Sequence, residues 1–292
     1  MTGRIVVGID GSPQSGRALD WAVGRARLGG EELELVNSYS LVHAFDFYGY
    51  HAVSQPVDWF VEYSAQVLEA AAEHVRELAP ELTCTRTSKM GQPAHVLTDA
   101  SEGADILVVG RRGLGGAASA LLGSVTNRLT IQARCPVVVI GDGELPSSGP
   151  VVVGVDGSEF GPNALRYAMT EAAVRQTSVR AVAAYTVLQE ALRIDPEMMA
   201  RMRAVIEAEA VDTITRALAD VQGTGSASVR VDQVAVEGRP AESILAHSED
   251  AQLIVVGTHG KGLVRRVLLG STSRQVLNDA ERPVAIVDLP AH

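Results

Sequence analysis

The run Val6-Val7-Gly8-Ile9-Asp10-Gly11-Ser12 returns as Val152-Val153-Gly154-Val155-Asp156-Gly157-Ser158. Three more landmarks repeat in the same order. Gly91-Gln92-Pro93-Ala94 matches Gly238-Arg239-Pro240-Ala241, Asp105–Gly110 matches Gln252–Gly257, and Cys135–Ile140 matches Arg282–Val287. The offset is 146 or 147 residues at every one of them. A constant spacing of that length is the mark of a duplicated domain. The stretch Gly141-Asp142-Gly143-Glu144-Leu145-Pro146-Ser147-Ser148-Gly149-Pro150, rich in Gly, Pro and Ser, lies between two apolar runs and reads as a linker. Two domains are expected, residues 1–143 and 149–292.

Within each repeat, short apolar runs alternate with helical periodicity. Ile5–Ile9 is continuous and apolar, as befits a parallel strand covered on both faces. Ser12-Pro13 then offers a helix cap followed by proline at the first helical position, with Leu19, Ala22, Val23 and Ala26 on one face. Further strands are expected at Leu33–Ser38, Thr83–Ser88, Ile106–Val109 and Val137–Ile140. Val61, Ala65, Leu68, Ala72 and Val75 are expected to line the buried face of a long helix. The fold class is therefore α/β: two tandem doubly wound domains, each a five-stranded parallel sheet flanked by helices. A ligand site in such a domain lies beyond the C-terminal ends of the strands.

Composition narrows the functions. The chain of 292 residues is 46% hydrophobic and 4% aromatic, so its cores must be aliphatic. A net charge of −10 argues against broad binding to nucleic acid or to an anionic membrane. It leaves room for phosphate held by backbone amides. The two cysteines, Cys84 and Cys135, are far apart in sequence and form no metal or disulfide pattern, which suits a reducing compartment and a core or near-core placement. No run is long and apolar enough for a leader or a membrane span, so a cytoplasmic protein is expected.

The strongest motif follows Val109. It reads Gly110-Arg111-Arg112-Gly113, nine residues, then Gly123-Ser124, and it recurs as Gly257-Thr258-His259-Gly260, nine residues, then Gly270-Ser271. This resembles the G-x-x-G-x9-G-[S/T] pattern of the ATP-binding universal stress proteins, and the resemblance covers essentially the whole chain twice. Glycines admit close backbone approach, and Gly-Ser at a helix start presents free amides to phosphate oxygens. The alternative is that these glycines only make turns and the serines only cap helices. The resemblance implies a site in domain 1 of Gly8, Ile9, Asp10, Ser38, Gly110, Arg111, Arg112, Gly113, Leu114, Gly115, Gly116, Gly123, Ser124 and Val125. In domain 2 it implies Gly154, Val155, Asp156, Ala184, Gly257, Thr258, His259, Gly260, Lys261, Gly262, Leu263, Gly270, Ser271, Thr272 and Ser273. It places Asp10 and Asp156 at the ribose or a nucleotide-bound Mg; the alternative is an Asx-turn or cap, which does not exclude binding. It also places Ser38 and Ala184 near the adenine.

Other features are set aside. Gly11–Ala18 looks like a Walker A loop, but Arg17 and Ala18 replace the Lys and Ser/Thr it needs. Gly113-Leu114-Gly115-Gly116 lacks a full dinucleotide fingerprint. The seven histidines show no metal-ligand spacing. Residues 41–63 hold Phe45, Phe47, Tyr48, Tyr50, Trp59, Phe60 and Tyr63, seven of the twelve aromatics. They read either as a segment folded over its own domain or as a lid or partner surface. Leu188–Met202 stands there in domain 2.

The reading that results is a nucleotide-binding regulatory stress protein with one ATP site per domain, acting through assembly or partner contacts. Alternatives are a slow ATPase or autophosphorylating enzyme, an AMP or cyclic AMP module, and an interaction protein with relic motifs. No catalytic constellation is read, since no general base or P-loop Lys accompanies the glycines. The resemblance implies pairing through the last strands, Pro136–Ile140 and Pro283–Val287, and symmetry suggests a homodimer.

Overall fold

Ile5, Val6 and Val7 are fully buried and hydrogen-bond in parallel to strands on both sides, so the first apolar run forms the middle of a sheet. The structure, a computed structural model, describes residues 3–39, 57–114, 122–187, 196–221, 229–259 and 268–288. It divides into two units, Met1–Gly141 and Asp142–His292.

The first unit runs β1 (Arg4–Gly8), α1 (Pro13–Gly29), β2 (Glu32–Tyr39), α2 (Val57–Leu78), β3 (Cys84–Met90), α3 (Pro93–Ala100), β4 (Ile106–Gly110), α4 (Ser124–Gln132) and β5 (Val137–Ile140). Its strands lie in the order β3-β2-β1-β4-β5, all parallel. The second unit runs β6 (Val151–Gly154), α5 (Gly161–Val174), β7 (Val179–Tyr185), α6 (Pro196–Val221), β8 (Val231–Glu237), α7 (Pro240–Ala246), β9 (Leu253–Gly257), α8 (Ser271–Asp279) and β10 (Val284–Val287). Its order is β8-β7-β6-β9-β10, again parallel. Among the described residues no helix is long and apolar enough to cross a membrane.

Helix α1 forms as its sequence suggests. Ser12 Oγ accepts from the Ser15 amide at 3.1 Å, Pro13 opens the first turn, and Gly30 closes the helix at φ +79°, a left-handed conformation that favours glycine. Leu19, Ala22, Val23 and Ala26 are all buried.

Helix α2 departs from its expected face. Ala65 is exposed and Val61 is 41% exposed, whereas Ser64 is fully buried with Leu68, Ala72, Val75 and Ala79. The cause is a polar network that hydropathy cannot register. Asn37 Nδ2 donates to the Ile9 carbonyl at 2.6 Å, Ser64 Oγ donates to Asn37 Oδ1 at 2.6 Å, and Ser64 shares a further hydrogen bond with Ser88 at 2.6 Å. Three elements are thereby tied to the residue that leaves β1. The second unit has no such network: strand register puts Ala183 and Ala235 where Asn37 and Ser88 stand. Ile214 and Val221, buried like Leu68 and Val75, put Ala210 in the place of Ser64.

Of the aromatic segment, Trp59 stacks on Tyr63 at 5.5 Å and meets Phe60 edge-on at 5.1 Å, on the exposed start of α2. Phe45, Phe47, Tyr48 and Tyr50 lie outside the described residues. In the second unit Met198 and Met202 are exposed on α6, and residues 188–195 are likewise outside.

Both cysteines are free and half-buried. Burial pushes the Cys84 thiol up, and burial followed by the nearby Asp105 carboxylate pushes Cys135 up to about 12. At pH 8 Cys135 should alkylate at least roughly tenfold more slowly than an unhindered thiol, because only the thiolate reacts. Mass-spectrometric labelling checks this, and rapid modification of Cys135 in the folded chain would contradict it. The network makes a separate prediction. Asn37→Ala or Ser64→Ala leaves a buried partner unsatisfied and should cost about 1–3 kcal/mol. The triple change Asn37→Ala, Ser64→Ala, Ser88→Ala should cost less than the sum of the three. Urea unfolding measures both, and simple additivity would show that the three side chains do not act together.

Candidate functional site

The strand order fixes where a site forms. β1 is followed by β2 on one side and β4 by β5 on the other, so the chain leaves the paired ends of β1 and β4 in opposite directions and opens a crevice. The same holds at β6 and β9.

In the first unit Asp10 spans this crevice. Its Oδ1 accepts from the Ser12 amide at 2.9 Å, an Asx-turn that Gly11 permits by adopting φ +83°. Its Oδ2 accepts from the Leu114 amide at 3.0 Å, beyond β4. A Cβ on Gly113 would collide with that Oδ2, so glycine is needed for the close approach. The loop is secured elsewhere by Gln14 Oε1, which accepts from the Arg112 amide at 2.6 Å, and by Ile140 O, which accepts from the Arg111 amide at 2.7 Å. It closes where the Gly123 amide donates to Arg111 O at 2.9 Å, while Thr126 Oγ1 holds Gly110 O at 2.9 Å. Gly123 caps α4 without a side-chain hydrogen bond, which leaves first-turn amides of this helix available. A side chain at Gly11 would touch Val67 and the Tyr63 hydroxyl, so the aromatic start of α2 borders the same crevice.

The second unit repeats four of these bonds. The Gly270 amide donates to Thr258 O at 2.8 Å, the Thr258 amide to Val287 O at 3.0 Å, and Ser273 Oγ to Gly257 O at 2.6 Å. Asp156 Oδ1 accepts from the Ser158 amide at 2.9 Å around Gly157 at φ +71°. Gly270 caps α8, again with no side-chain hydrogen bond. Together these elements enclose a cavity of about 270 Å3.

Gly154, Val155, Asp156, Ala184, Gly257, His259, Gly270, Ser271, Thr272 and Ser273 line that cavity. Thr258 does not; its hydroxyl donates to Asp288 at 2.8 Å. In the first unit Gly8, Ile9 and Asp10 follow β1 onto the crevice, and Gly110–Leu114 and Gly123–Val125 frame it from the β4 side. Arg111 lays its guanidinium against Gly141, and Leu114 is exposed. Ser38, near the end of β2, has a buried hydroxyl with no hydrogen-bond partner. Gly115, Gly116, Gly260, Lys261, Gly262 and Leu263 lie outside the described residues.

Several residues were not foreseen. Ser158, Phe160, Gly161, Val182, Pro240 and Ile244 also line the cavity, and Gln14 and Thr126 hold the first loop. The repeat offers one signal for them: Pro93 and Pro240 sit in matched Gly-x-Pro-Ala motifs whose helices, α3 and α7, pack beneath the site. Among the described residues no group of three or more His, Cys, Asp or Glu is placed to hold a metal.

A tandem pair of doubly wound units with glycine-framed crevices is a recognised class, and comparison with known proteins assigns it. The model of the universal stress protein family matches residues 1–141 and again 148–288. A universal stress protein of Mycobacterium tuberculosis is 31% identical over 318 residues, covering 98% of this chain and 95% of its own. One from Mycolicibacterium smegmatis is 30% identical over 304 residues, with coverages of 97% and 96%. The chain belongs to the universal stress protein family. The crystal structure of a universal stress protein from Archaeoglobus fulgidus, 22% identical, superposes over 98% of both chains with a TM-score of 0.65, which speaks to the fold.

Asp10→Ala and Gly113→Ala should each release the Leu114 amide. Hydrogen exchange at Leu114 is expected to rise several-fold in both variants, with a stability loss of about 1–2 kcal/mol for Asp10→Ala. Unchanged exchange in both would mean that the carboxylate does not hold the loop.

Proposed function

We propose that this universal stress protein binds one adenine nucleotide per unit, ATP in the first place, and acts in the cytoplasm as a regulator rather than through turnover. The observation that carries the reading is the same in both units. A glycine-capped helix, α4 or α8, starts at the mouth of the crevice with no side chain on its first amides. Free amides there, together with the helix dipole, suit phosphate oxygens. In the second unit the cavity also has an apolar side of Val182, Ala184 and Ile244, suited to a purine.

The residues fit such a ligand. Gly270, Ser271 and Thr272 would hold phosphates in the second unit, with Gly123, Ser124 and Val125 in the first. Asp156 and Asp10 would face the ribose or a nucleotide-bound Mg. Asp10 already accepts two amides, and each oxygen keeps a lone pair for such a contact. A bound nucleotide stabilises whatever it binds, by about 2.7 kcal/mol at a concentration a hundredfold above Kd. Occupancy can thus favour the nucleotide-bound form of each unit and pass that preference to a homodimer or another protein.

Denaturing the freshly purified chain and quantifying released nucleotide should give two ATP per chain. Gly113→Ala should reduce this to one by abolishing the first site, and sedimentation with and without ATP should show a change in assembly. Full two-site occupancy and affinity in Gly113→Ala would refute the assignment of the first site. A chain that neither retains nor binds any adenine nucleotide would refute the function.

A further inference from the structure

The two crevices are built from matching positions that are used differently. In the first unit two polar side chains, Ser12 and Gln14, are committed internally. Ser12 Oγ caps α1, Gln14 Oε1 takes the Arg112 amide, and Arg112 occupies the second variable position of the loop. Their counterparts are Ser158, Phe160 and His259. Pro162 starts α5 at Gly161, later than the position matching Pro13, so Ser158 falls short of the cap position. Its hydroxyl is buried without a hydrogen-bond partner. Phe160 cannot bind the loop backbone as Gln14 does. It packs instead on the His259 ring, 5.3 Å between centroids at 41°.

His259 is the stronger anomaly. It is 6% exposed, and neither Nδ1 nor Nε2 has a hydrogen-bond partner. An imidazole buried this way is costly unless something else completes its hydrogen bonding. Both His259 and Ser158 line the second cavity, which is also walled by Gly257, Gly270 and Ser271. The missing partner therefore belongs in the cavity, which the first residues of α8 also line. The phosphate end of a nucleotide supplies acceptor oxygens there; a purine would sit on the apolar side.

Resting on the nucleotide reading of the preceding section, we propose that His259 is a specificity-determining residue of the second site. One ring N–H donates to a phosphate oxygen of the bound nucleotide, and Ser158 provides a second hydroxyl contact. In the first site Ser12 and Gln14 serve the protein's own backbone, and Arg112 stands at the position of His259. The two sites of one chain are thus chemically inequivalent: an imidazole and an uncommitted serine hydroxyl line the second, where the first has Arg112 and a capping serine.

The test uses the full chain, with ATP and adenosine as probes. His259→Phe keeps a ring against Phe160 and removes both nitrogens. Calorimetry should show roughly tenfold weaker ATP binding at one of the two sites, no change at the other, and no change in adenosine binding. Ser158→Ala should weaken the same site by a smaller factor, and His259→Gln should recover part of the loss. In nitrogen-15 histidine spectra, the His259 ring signals, assigned by their loss in His259→Gln, should move when ATP is added. Two ATP bound with the ring signals unmoved, and with wild-type affinity in His259→Phe and Ser158→Ala, would overturn the proposal while leaving the nucleotide reading intact. Equal weakening of both sites, or of ATP and adenosine alike, would show a structural role and overturn it too. No ATP binding in the second unit of the wild type would bring down both readings.

Discussion

Everything in each unit hangs on the pairing of its first strand with its fourth. Ile5 to Val7 against Ile106 to Val108, and Val151 to Val153 against Leu253 to Val255, place two strand ends side by side whose continuations must part. Parallel strands need crossovers that pass over the faces of the sheet, and covering both faces forces these strands to be apolar throughout. The buried core and the open crevice are therefore products of one topological choice. Asp10 shows how narrow the gap is: one carboxylate reaches the turn after β1 with one oxygen and the loop after β4 with the other.

That geometry also explains why the loop chemistry is so largely backbone. Amides at the start of α4 and α8 are donors that the helix itself cannot satisfy. Glycine at the cap withholds the usual side-chain acceptor, and threonine or serine three positions on turns its hydroxyl back to the preceding strand, Thr126 to Gly110 and Ser273 to Gly257. Each loop is held by what the protein can spare, and the amides are left pointing outward. An acidic chain can offer phosphate a favourable environment in this way without a basic surface.

The sequence discloses the parts of this arrangement that depend on residue type at a fixed spacing. The duplicated strands, the described glycines Gly110, Gly113, Gly123, Gly257 and Gly270, and the Ser12-Pro13 helix start are local requirements, and the structure has each where the pattern places it. Strand limits such as Cys84–Met90, against an expected Thr83–Ser88, shift by a residue or two because pairing continues for as long as a neighbour is present. Contacts between remote elements were not legible. Ser64 scores as polar, yet it is buried because Asn37 and Ser88 meet it; Phe160 and Ile244 line a cavity assembled from segments some eighty residues apart. Serine at positions 12 and 158 carries the same letter in the same motif, but Pro162 moves the following helix and changes what the hydroxyl does.

The network of Asn37, Ser64 and Ser88 also bears on the history of the duplication. Its counterpart is three alanines, so the halves differ at all three linked positions. Asn37 without Ser64 would leave a buried amide oxygen unsatisfied, whereas Ser88 is exposed and open to water. An exchange between the repeats that brought in Asn37 without Ser64 would therefore cost stability, so these two positions are free to change together more than singly.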